Sequence, residues 1–65
     1  MSDLSIHEQI LAALETYTAE NDKFETKGVK AASARARKAL GDLAKLAKAR
    51  RAEIQEKRNA MDAGA

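Results

Sequence analysis

KGVKAASARARKALGDLAKLAKARRAEIQEKR, residues 27–58, has no proline and is dominated by alanine, leucine, lysine, arginine and glutamate, residues that enter a helix at little cost. At about 100° per residue, Val29, Ala32, Ala36, Leu40, Leu43, Ala47, Ile54 and, just beyond, Met61 fall within about 60° of one another. This seam of three- and four-residue steps predicts one long helix that packs along it. Roughly opposite lie Arg37, Lys38, Lys45, Lys48 and Arg51, interrupted only by the small Gly41, Ala44 and Ala52. That side is expected to stay in water or to meet something negative. Eleven of the chain's 12 Lys and Arg residues lie in the stretch, and Lys23 is the other.

Upstream, Leu4, Ile6, Ile10, Leu11, Leu14, Tyr17 and Phe24 recur with a period near 3.5, and His7 and Asn21 fall on the same side. An amphipathic first helix is expected from about residue 3 to 27, with Ser2 or Asp3 as N-cap. Thr16, Thr18, Asn21, Asp22 and Thr26 weaken its second half, but continuation to Lys27 is favoured. Gly28 is the strongest stop signal, because a helix commonly ends on a residue in the left-handed region that glycine enters freely. The second helix is then expected from about residue 30 to 60, with MDAGA (61–65) as a frayed tail.

The 65 residues allow a single domain, and the scarcity of glycine and aromatics with the absence of proline gives an all-α class. The two segments differ in charge: residues 1–26 sum to −5 and residues 27–65 to +7. Helix 1 is read as an acidic assembly helix (1–27) and helix 2 as a basic one (28–60). Without cysteine there is neither a disulfide framework nor a thiolate metal site, a usage that suits a reducing cytoplasm. MSDLSIHEQ lacks the basic start and apolar run of a signal peptide, and no apolar stretch of ~20 residues could span a bilayer.

Chemistry that would make an enzyme is absent from the pattern: there is one histidine, no glycine-rich phosphate loop and no framed acid pair. No cofactor, metal or small-molecule substrate is expected. His7 is read as a packed or half-exposed residue beside Ile10, Leu11 and Leu14. Tyr17 and Phe24 follow the apolar seam, away from the bases, which argues against base stacking. The basic stripe suits phosphates: lysines and arginines on a rigid helix, without Asn or Gln beside them, suggest backbone contact with little base readout. Lys27 and Lys30 flank the start of helix 2, where free amides already favour an anion.

The block Lys27, Gly28, Lys30, Ala31, Ala32, Arg35 and Arg37, with Phe24 ahead of it and Arg51, Ile54 and Gln55 behind, resembles the short bacterial linker-histone-like proteins. These are relatives of the chlamydial histone-like DNA-condensing protein, whose hallmark is K-G-N-K-A-A-x-x-R-x-R. Val29 stands where the family usually has asparagine, and the long lysine- and alanine-rich tail of the chlamydial form is not in this sequence. The resemblance implies a nucleoid-associated, DNA-binding role with little sequence preference, adds Arg35 to the candidate contacts, and implies a cytoplasmic, nucleoid location.

The expectation is therefore an antiparallel helical hairpin that binds duplex DNA through Lys27, Lys30, Arg35, Arg37, Lys38, Lys45, Lys48 and Arg51. A hairpin this small is short of core, so assembly into a four-helix homo-oligomer is expected, with Leu14 and Leu43 inside it and His7 and Asn21 setting register. Arg50 is placed on the seam, its head pairing with an acid of helix 1. The alternative is a helical protein–protein interaction module with a merely solvated basic face. Membrane-surface binding is disfavoured, because the apolar face of helix 2 is thin and alanine-rich.

Overall fold

In a computed structural model, which describes residues 4–64, the chain forms two helices, α1 (Ile6–Lys27) and α2 (Lys30–Gly64), packed against each other as a hairpin. The start of α1 differs from the expected one. Ser5 is the N-cap: its hydroxyl accepts from the Glu8 amide at 3.1 Å, and the Glu8 carboxylate accepts from the Ser5 amide at 3.0 Å. This reciprocal pairing satisfies donors on both sides of the boundary. The Ser2 and Asp3 side chains lie outside the described residues. Helix α1 is continuous through Asn21 and Asp22, because Thr18 and Thr26 turn their hydroxyls onto the carbonyls of Leu14 and Asp22 and leave the ladder intact.

The turn is where the sequence puts it. Gly28 has φ 66° and ψ 27°, and its amide and that of Val29 close onto the carbonyls of Phe24 and Lys23. Helix α2 runs past the expected end at residue 60, through Met61 to Gly64, since no proline or glycine intervenes and the weaker helix formers Asn59 and Asp62 are each engaged one turn back, by Gln55 and Arg58. At about 1.5 Å per residue its 35 residues span about 52 Å, matching the 53 Å long axis of the molecule. The Glu20–Arg35 contact sets the register, so a residue i of α1 lies level with about residue 55 − i of α2. Helix α2 therefore overhangs the start of α1, and Ile54 and Met61 lie beyond or at its edge.

The packing seam of α2 is rotated by about 50° from the predicted one. The buried residues are Ala32, Ala36 and Ala39, and the line continues through half-buried Leu43, Leu46, Arg50 and Glu53. Val29, Leu40, Ile54 and Met61 are exposed. With only Gly28 and Val29 joining the helices, the axes are close where α2 begins, and only methyl side chains fit between them. Facing them, α1 presents Ile6, Ile10, Ala13, Tyr17 and Glu20, all half-buried. Leu14 is 47% exposed and lies outside the hairpin's interface. Arg50 is on the seam as expected, but its guanidinium pairs with Glu53 of its own helix, the acid that comes one turn later on the same face.

Candidate nucleic-acid interface

Two helices side by side make a slab with two broad faces and two edges, and the sequence treats all four differently. The outer edge of α2, opposite Ala32, Ala36 and Ala39, carries Lys30, Arg37, Lys38, Lys45, Lys48 and Arg51, all exposed. From Lys30 to Arg51 is about 32 Å along the axis, close to one turn of duplex. The outer edge of α1 carries Glu8, Glu15 and Asp22, also exposed and seven residues apart. One edge is thus a line of cations and the other a line of anions.

The cations of α2 are spread over both faces of the slab. Lys38 and Lys45 line shallow hollows on one face of the slab with Ala13, Thr16 and Asp42. Arg37 instead borders an apolar groove of about 270 Å³ on the other face, lined by Tyr17, Asn21, Phe24 and Leu40. Helical spacing puts Lys48, eleven residues on, within about 20° of Arg37, and Arg51, fourteen residues on, about 40° further toward that groove's face. Gly41 and Ala44 leave the lysine side low, and a Cβ built on Gly41 meets nothing within 4 Å.

Not every candidate cation is equally available. Arg35 donates through Nε to Glu20 at 2.7 Å across the hairpin; Glu20 is only 13% exposed, and its pKa is lowered, first by this hydrogen bond. Arg35 therefore braces α1 to α2. Lys38 touches Asp42 at 3.4 Å but is 79% exposed, a contact of the kind that phosphate readily replaces. Among the described residues no ion pair engages Lys30, Arg37, Lys45, Lys48 or Arg51. Lys27 ends α1 beside the first turn of α2, which contains no acid. Val29 has no side-chain acceptor for the amides there, so that end of the helix keeps its positive character.

Sequence reasoning overlooked Arg35's brace and the spread of the cations over two faces. The Glu20–Arg35 pair follows from the turn at Gly28, which makes the two residues level, once the rotation of α2 is known. No group of three His, Cys, Asp or Glu among the described residues could hold a metal, and no helix there is long and apolar enough to cross a membrane. In comparison with known proteins, a family model described as histone H1-like protein Hc1 matches residues 6–60. No curated protein and no solved structure gives a significant match.

Proposed function

Because the chain belongs to the histone H1-like protein Hc1 family, we propose that it is a non-enzymatic nucleoid protein of the cytoplasm. It binds duplex DNA with little sequence preference, contributes to chromosome organisation, and self-associates. The observation that carries this reading is the outer edge of α2: Lys30, Lys45 and Lys48 lie on a rigid helix, opposite the packing face, with no acid among the described residues holding them. Lys27, Lys38, Arg37 and Arg51 extend the edge. Charges fixed along one helix edge suit phosphates, and no Asn or Gln stands among them to read adenine.

The exposed leucines favour a protein contact as well, because Leu11, Leu14 and Leu40 are each about half exposed in a molecule whose buried core is three alanines. We take that contact to be the protein's own. The test is a gel shift with several unrelated duplexes at two salt concentrations, repeated with RNA. Equal affinity across duplexes and a steep loss with salt support the reading. Selection of one duplex, or indifference to salt, overturns it.

A further inference from the structure

We propose that a second copy of the chain covers the slab face bearing Leu11, Leu14 and Leu40, with α1 of each hairpin lying on α2 of the other. This rests on the self-association in the functional reading and specifies its face and its orientation. Relative to the packed seam, Leu40, Ala47, Ile54 and Met61 recur every seven residues on one side of α2, and Leu11 and Leu14 lie on the same side of α1. Phe24 and Val29 add to the exposed apolar area at the turn end. The opposite face carries Gln9, Thr16, Lys38, Asp42 and Lys45 in its place. Over the roughly 33 Å of α1 the two-helix face is 21 Å wide, an area on the order of the ~800 Å² per partner of a standard interface.

Charge selects the occupant and its orientation. If α1 lay on α1 and α2 on α2, the basic line Lys30, Arg37, Arg51, Arg58 would face a copy of itself. Turning the second copy about the long axis instead sets every neighbouring pair of helices antiparallel and brings the acidic line of one α1 beside the basic line of the other α2. The register of the hairpin fixes the levels: Asp22 is level with about residue 33, and Glu8 with about residue 47. Each lies within about four residues, or 6 Å, of a cation, Arg37 and Arg51 respectively. Side chains tilt toward the N-terminus of their own helix, which draws each pair together. No ion pair within the hairpin engages Glu15, Asp22, Arg37 or Arg51, among the described residues. Leu14 and Leu40 meet in the middle of the face, and the groove beside Phe24 lies under the second copy.

The arrangement divides labour among the cations. Arg37 and Arg51 flank the interface with Lys48 beside them on the outer edge, whereas Lys38 and Lys45 point to the corner of the bundle away from it. The two lysine corners lie diagonally opposite, so one dimer can hold two duplexes.

The chain has no cysteine, so introduced thiols report cleanly. Leu14→Cys and Leu40→Cys chains are prepared separately, then mixed and oxidised. The expected product is a covalent dimer in the mixture and none in either variant alone, since like positions are diagonal across the bundle. Self-linking of either variant alone, or no linking in the mixture, overturns the arrangement. In parallel, sedimentation equilibrium without DNA should show Arg37→Asp and Asp22→Arg each weakening the dimer about tenfold, because the pair occurs twice. The double variant should recover the parent constant; additive losses overturn the pairing. A protein that dimerises in this way yet fails to bind any duplex sinks the DNA reading and leaves the interface standing. A monomer that binds DNA does the reverse.

Discussion

Replacing Lys38, Lys45 and Lys48 together by glutamine isolates the phosphate edge from everything that holds the hairpin. All three side chains are exposed on the far side of α2 from Ala32, Ala36 and Ala39, and only Lys38 has a partner, Asp42, at 3.4 Å. Glutamine matches lysine in helix propensity, so each substitution should cost within about 0.5 kcal/mol of stability. Five phosphates contacted per bound unit correspond to a log–log salt slope of about −4.5, at roughly 0.9 per phosphate. Between 50 and 200 mM salt such a slope loses affinity about 500-fold. With three cations gone the slope should fall to about −1.8 and the loss to about 12-fold. Fluorescence anisotropy with a labelled duplex gives the slope, and far-UV circular dichroism checks that the helices persist. A folded triple variant that keeps the parent's slope would refute the assignment of this edge to phosphate and leave it a solvated face.

The remaining tests address the fold. Ala32 is fully buried beside the two-residue turn, so Ala32→Leu should destabilise by about 1–3 kcal/mol in urea unfolding, against little change for a leucine at exposed Ala44. The two described inner glycines should respond oppositely: Gly28→Ala forces a Cβ into φ 66° and costs about 1 kcal/mol, whereas Gly41→Ala meets open space and should stabilise by about 1 kcal/mol. The carboxyls of Glu8 and Glu20 are held below their ordinary value, Glu8 first by the Ser5 amide and Glu20 first by Arg35. A depressed folded-state pKa contributes stability that is present above the unfolded value and is lost as pH falls through the folded one. Thermal stability should therefore decline below about pH 4.5, and Arg35→Gln should flatten part of that decline; an unchanged pH profile would count against the brace.

Much of this molecule was legible as sequence because it is local. A helix-forming composition without proline, an apolar period near 3.5 and a glycine between two lysines settle two helices and the turn at Gly28, since each depends on backbone preferences within a few residues. The N-cap was legible too: Ser5 and Glu8 have capping-box spacing, a stronger signal than the lone Ser2 or Asp3. Charge polarity between the halves needs only counting.

Rotation of α2 about its axis belongs to the tertiary structure. Hydrophobicity alone favours a seam through Leu40 and Ile54, yet the short turn brings the helices so close that the alanines win the interface and those larger side chains are left outside. That rotation then decides which cations are free. It carries Arg35 to Glu20, turns Arg50 onto the packed seam, and sets Arg37 against an apolar groove while Lys38 and Lys45 line the other face. A helical wheel records angles within one helix, but the contact between two helices depends on how closely their backbones approach, which is a property of the pair.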